Sequence, residues 1–178
     1  MILQELLEQA KSLALAQNIP ETDFWFLISY YLHLSRSEII LSRQRILTDR
    51  EREIIENAFS RLENGEPPQY ITGTAYFYGL DLKVNPAVLI PRPETERLVE
   101  LTMERLKGTE RILDMGTGSG AIAIALKHNL PSLSVSATEI SFSALETAKK
   151  NAEIYRADIH FYLSDCFPPV KQNYEVLI

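Results

Sequence analysis

Two carboxylates, Asp114 and Glu139, bracket three alternate glycines, Gly116, Gly118 and Gly120. Glycines at this spacing allow positive φ and let the backbone approach a ligand where a Cβ would collide. Asp114 closes the short apolar run 111–115 and puts a carboxylate at the mouth of the glycine turn. Glu139 ends the run 133–138, at the place where an acid takes the two ribose hydroxyls of a nucleoside. Two ligands compete for such a loop. Gly116, Gly118 and Ala121 satisfy the dinucleotide pattern G-x-G-x-x-G/A. A pyrophosphate, however, wants the helix N-terminus clear of anions. Asp114 beside the loop fits a cationic ligand better, such as the sulfonium and amino groups of S-adenosylmethionine, and the methyl donor is the favoured reading.

These residues need a strand, a tight turn and a helix in succession, and the chain supplies them. Strand–helix alternation is predicted as strand 111–115, helix 120–129, strand 133–138, helix 142–155, strand 159–163 and a last apolar strand near 174–178. That is four strands of a doubly wound α/β sheet. The last run stops without a following loop, and the sheet looks cut in half.

Upstream the pattern is different. Residues 2–17 place Ile2, Leu3, Leu6, Leu7, Ala10, Leu13 and Ala14 on one helical stripe, ended by Asn18 and Pro20. Residues 24–32 are apolar nearly all round, which places that helix at the centre of a bundle. Ser35 with Glu38, and Thr48 with Glu51, form capping boxes for two further helices, the second closed by Gly65. A hairpin follows, Thr74–Tyr78 against Leu80–Val84 around Gly79. Pro93 then suits the first position of a helix running to Gly108. The expected domains are a helical bundle over 1–66, a linker with a β-hairpin over 67–92, and a nucleotide-type domain over 93–178.

Among 178 residues, 46% are hydrophobic and 24% charged, an ordinary globular composition. The net charge is −6 and neither half is basic, so broad electrostatic binding to nucleic acid is disfavoured. The arginines 36, 43, 45, 50 and 52 read as solvated helix faces. One cysteine, Cys166, excludes an internal disulfide, and with three scattered histidines it argues against a metal site. No apolar run is long enough for a membrane span, and a cytoplasmic location follows by default.

Pro67-Pro68-Gln69-Tyr70-Ile71-Thr72-Gly73, leading through Phe77-Tyr78-Gly79 to Leu89-Ile90-Pro91-Arg92-Pro93-Glu94-Thr95-Glu96, resembles the hallmark of the release-factor glutamine methyltransferases (the HemK family). The resemblance covers the whole chain. It implies a Rossmann-like S-adenosylmethionine-dependent methyltransferase domain behind a small helical bundle. Asp114, Gly116, Thr117, Gly118, Ser119 and Gly120 match the methyl-donor motif, and Glu139 falls at the ribose position, where Asp is commoner. Asp165 and Cys166, within Ser164-Asp165-Cys166-Phe167, fall at the motif that frames the adenine, where a Trp is frequent in place of Cys166. The implied reaction is methylation of a glutamine side-chain amide in a peptide chain release factor, with the bundle helping to dock that protein. The family's Asn-Pro-Pro-Tyr motif, which aims the amide nitrogen, does not occur in these residues. The expectation is therefore a cofactor-binding half with no catalytic residue of its own. Three alternatives remain beside it: a nicotinamide-dependent oxidoreductase, a non-catalytic interaction module, and a related enzyme methylating a nucleobase amino group.

Overall fold

The computed structural model describes residues 1–178 and divides into two compact units, Met1–Thr72 and Gly73–Ile178. In the first unit, α1 (Leu3–Gln17), α2 (Glu21–Leu32), α3 (Arg36–Leu41), α4 (Asp49–Glu63) and the short α5 (Pro68–Thr72) surround one apolar core. The helix α2 packs against each of the others, as its all-round apolar sequence requires. Phe24 and Phe59 meet edge to face at its centre, with centroids 4.9 Å apart. A fully buried side chain of this size contributes roughly 1.5–3 kcal/mol.

The helix ends follow local chemistry. Ser35 and Thr48 each accept from the backbone N–H three residues on, while Glu38 and Glu51 reach back to the cap N–H. At the end of α4, Gly65 adopts φ +82°, and the Gly65 and Glu66 N–H groups donate to the Leu62 and Arg61 carbonyls. This is the paired bonding that a glycine just past a helix permits. Of the clustered arginines, Arg36 lies over the Trp25 ring, Arg45 pairs with Glu51 and Arg52 with Glu56. Residues 67–72, expected to open the linker, instead belong to the first unit, because Ile71 is buried in the bundle core.

The second unit opens with the hairpin β1 (Thr74–Phe77) and β2 (Leu80–Lys83), antiparallel with Phe77 opposite Leu80. Tyr78 and Gly79 form the turn, both at positive φ, which matches the twist of a two-residue hairpin. Helix α6 (Pro93–Met103) stops short of the expected Gly108. Its last turn tightens into bonds from Arg105 and Leu106 to Thr102 and Met103, and the Glu110 carboxylate takes the Lys107 and Gly108 N–H groups.

The parallel sheet contains β3 (Arg111–Met115), β4 (Ser134–Glu139), β5 (Ile159–Leu163) and β6 (Val176–Leu177), in the spatial order β5-β4-β3-β6. Helices α7 (Ala121–Asn129) and α8 (Phe142–Ile154) make the crossovers. Strand β6 is shorter than expected, since only β3 pairs with it, yet its backbone bonds run from Glu175 to Ile178. The order reverses between β3 and β6, and ligands of such sheets bind beyond the strands' carboxyl ends at that reversal. No helix is long and apolar enough to cross a membrane.

Candidate functional site

The glycine turn between β3 and α7 folds over the end of β4. The Gly116 and Thr117 N–H groups both donate to the Thr138 carbonyl, at 2.9 and 3.0 Å. The Gly118 N–H donates to Glu139 Oε2 at 2.9 Å, and Glu139 Oε1 accepts from the Ser141 N–H at 3.0 Å. Glu139 is only 9% exposed. Both its oxygens keep a second lone-pair direction for further donors.

Asp114 does not sit at the open mouth of the turn. It is 3% exposed, beneath the loop, where the Thr117 hydroxyl donates to Oδ2 at 2.7 Å. The Ala123 N–H, in the first turn of α7, also favours its ionised form. Burial pushes its pKa up to about 6, against the opposing pull of the Thr117 and Ala123 bonds, and the neighbouring Glu139 charge adds to the rise. A buried carboxylate poised near neutrality is a place where an incoming positive charge restores full ionisation.

The three glycines divide their roles. All have positive φ. A Cβ on Gly120 would lie 2.9 Å from Ile124 Cδ1 and 3.2 Å from Ala148 Cβ, so this glycine serves the packing of α7 on α8. A Cβ on Gly116 would meet nothing within 4 Å, and one on Gly118 only the Gly116 carbonyl at 4.0 Å. The open space beside these two is where a ligand can lie against bare backbone.

Thr117 and Ser119 are buried, and the Thr117 hydroxyl is committed to Asp114. Asp165 and Cys166 are exposed after β5, with Cys166 at φ +57°. The Thr138 hydroxyl donates to the Cys166 carbonyl at 2.7 Å and brings this segment to the end of β4. Asp114, Thr117, Gly118, Glu139 and, through Thr138, Cys166 therefore gather around the ends of β3 and β4. An apolar groove of about 480 Å³ lies elsewhere in this unit, lined by Leu98, Leu101, Leu106 and Val176, and shares no residue with the loop.

Two family models match the chain: the PrmC N-terminal domain over residues 5–73 and the methyltransferase small domain over residues 94–178. A release factor glutamine methyltransferase of Streptococcus pneumoniae is 40% identical over 96% of this chain and 58% of its own length. The enzyme of the same name from Lactococcus lactis is 46% identical over 78% of this chain and 51% of its own. The chain is thus similar to release factor glutamine methyltransferases along nearly all of its residues. It spans between about half and three-fifths of the length of these two relatives. Among solved structures, a tRNA (uracil-54, C5)-methyltransferase of Pyrococcus abyssi overlays 58% of this chain and 26% of its own, with 22% identity and a TM-score of 0.49.

The family hallmark is held by contacts that the sequence does not announce. Glu96, in the first turn of α6, accepts the Tyr78 N–H at 2.8 Å and so ties the hairpin turn Phe77-Tyr78-Gly79 to the last stretch of the hallmark. Asn151, on α8, joins the hairpin to the glycine loop. Its signal was available, since it is a polar residue on the stripe shared by Ala144, Ala148 and Ala152. A polar side chain on a buried helical stripe must find partners inside.

Proposed function

We propose that the second unit binds S-adenosylmethionine at the glycine turn, and that the protein transfers its methyl group to a glutamine side-chain amide of a peptide chain release factor. What carries the reading is the pairing of Glu139 and the buried Asp114 around a turn whose Gly116 and Gly118 leave bare backbone open. The site is anionic where a dinucleotide would need it clear. The residues fit the donor. Glu139 would take the two ribose hydroxyls on its free lone pairs, Asp114 would supply negative potential to the amino and sulfonium end, and Gly116 and Gly118 would admit the ligand. Thr117, Ser119 and Gly120 would hold the turn in shape, with Asp165 and Cys166 at the adenine edge.

When bound, the donor supplies an electrophilic methyl group on a positively charged sulfur. The chain's own part is to fix that group in place. An amide nitrogen is a weak nucleophile, and orientation supplies most of what such a transfer needs. The helical first unit, which leaves Leu15, Leu41 and Ile46 exposed, would help to dock the acceptor protein. Acting on a release factor would place the protein in the cytoplasm.

Calorimetry with S-adenosylmethionine, set against a fluorescence titration with NADH, tests the site. The donor should bind and NADH should not, and the reverse result would sink the reading. Gly118→Val should abolish donor binding while the circular dichroism spectrum is kept, because its Cβ faces ligand space and no protein atom nearer than 4.0 Å. Normal binding by that variant would make the loop structural. For the acceptor, a purified release factor incubated with radiolabelled donor should gain one methyl group on a glutamine from a protein that also carries the Asn-Pro-Pro-Tyr motif, and none from residues 1–178, which lack it. Label on any other residue type would move the protein to another substrate class.

A further inference from the structure

Along one face of α8, Thr147, Asn151 and Tyr155 recur every fourth residue and meet Asn85, Lys83 and Asp81, which recur every second residue on and just after β2. A helix rises about 6 Å in four residues and a strand about 6.6 Å in two, so the two series stay in step. The Tyr155 hydroxyl accepts from the Asp81 N–H at 2.7 Å and donates to the Asp81 carbonyl at 3.1 Å. Asn151 Oδ1 accepts from the Lys83 N–H at 2.7 Å, and its Nδ2 donates to the Lys83 carbonyl at 2.9 Å. The Asn85 amide donates to the Thr147 hydroxyl at 2.9 Å. These side chains close the free edge of the hairpin, which would otherwise present unpaired backbone groups.

Asn151 reaches further than the other two. Nδ2 also donates to the Ser119 carbonyl at 2.9 Å, between Gly118 and Gly120. The side chain is fully buried, with both amide protons and its oxygen engaged. One helical turn earlier, Ala148 stands where a Cβ on Gly120 would fall. The glycine turn is thus held from behind by α8 at two successive points, and the amide bond to Ser119 sets the direction of the peptide leading into Gly120.

We propose that Asn151 is a positioning residue that fixes the glycine turn in the shape that admits the methyl donor, and that it couples donor binding to docking of the hairpin. This rests on the donor site proposed above. Coupling of this kind is reciprocal, so the donor must tighten the hairpin as the hairpin steadies the turn.

The test uses the purified protein with Asn151→Ala, Asn151→Asp and Tyr155→Phe. Asn151→Asp keeps an acceptor for the Lys83 N–H but turns a carboxylate towards two carbonyls. Tyr155→Phe loosens the same strand without touching the turn. Calorimetry with S-adenosylmethionine and amide hydrogen exchange are read at a temperature where circular dichroism shows each variant folded. Both Asn151 variants should weaken donor binding at least tenfold and speed exchange at Gly118 and Gly120. Tyr155→Phe should speed exchange at Asp81 and keep affinity within twofold. Asn151 variants that hold affinity within twofold, or a Tyr155→Phe loss equal to theirs, would overturn the proposal and leave Asn151 as structural packing. Should neither Asn151 variant fold, donor-induced slowing of exchange at Lys83 in the parent protein decides, and its absence overturns the coupling. Should the parent protein not bind the donor at all, the site reading fails, while exchange at Gly118 and Gly120 still judges the role of Asn151.

Discussion

The two units handle polarity in opposite ways. Every buried polar or charged residue of the chain lies in the second unit, between Asp114 and Asn151: Asp114, Thr117, Ser119, Ser136, Thr138, Glu139, Thr147 and Asn151. The bundle core of the first unit is entirely apolar. An apolar core is stabilised in proportion to the area it removes from water. A buried polar group stabilises only when its partners are in place, and an ionised one costs free energy unless a counter-charge arrives. The core of the first unit is therefore stabilised by burial alone, while the second depends on partners for the polar groups it buries. Helix α8 shows the compromise within one element, since Ala144, Ala148 and Ala152 pack while Thr147 and Asn151 hold backbone.

The comparison is broken most forcefully in the bundle. Phe59→Ala removes a side chain 1% exposed that meets Phe24 edge to face, and should lower the stability of the first unit by about 3–5 kcal/mol in urea denaturation. Donor affinity should stay within twofold, and a parallel loss of binding would show that the units do not divide the work.

Asp114→Asn probes the opposite strategy. The folded pKa of about 6 lies above the ordinary 3.8, so between these values the folded chain holds a proton that the unfolded chain releases. Stability from this group is full below about pH 4, falls as pH rises towards 6, and is absent above. The variant should remove that slope and, above pH 6, be more stable than the parent by up to about 3 kcal/mol, at 1.36 kcal/mol per pKa unit. It should also bind the donor more weakly, and parent affinity should fall as pH drops below 6. Urea titrations at several pH values would sink this account if the variant is the less stable protein at pH 7.5.

Glu139→Ala should weaken donor binding by about 1.5–3 kcal/mol, the range for charge-assisted hydrogen bonds. Unchanged affinity by calorimetry would remove Glu139 from the site.

The smallest effect is expected at the exposed edge of the sheet. Glu175 accepts from the Arg111 guanidinium and N–H, which hold its carboxyl down to about 2. The pairing is present above the usual carboxylate range and is lost as pH falls towards 2. Glu175→Gln should speed amide exchange at Ile178, beside β6, and at Met115 of β3, whose N–H donates to the Ile178 carbonyl, with little change in overall stability. A large global loss would mean that β6 carries more of the second unit than its short pairing implies.

Much of this protein was decided within a few residues of sequence. Ser35 with Glu38 and Thr48 with Glu51 cap helices, Tyr78-Gly79 turns a hairpin, and Pro93 opens α6, because each rule acts over one turn of backbone. Apolar periodicity likewise foretold the bundle and the order of strands and helices. The roles of the glycines were not legible in this way. Only the packing of α8 on α7 separates Gly120, closed by Ala148, from Gly116 and Gly118, open to a ligand. The burial of Asp114, the bond from Thr138 to Cys166 and the reach of Asn151 from Lys83 to Ser119 belong to the same class. Burial and hydrogen-bond partnership are relations between segments far apart in the chain. They acquire values only once the sheet and its helices have brought those segments together.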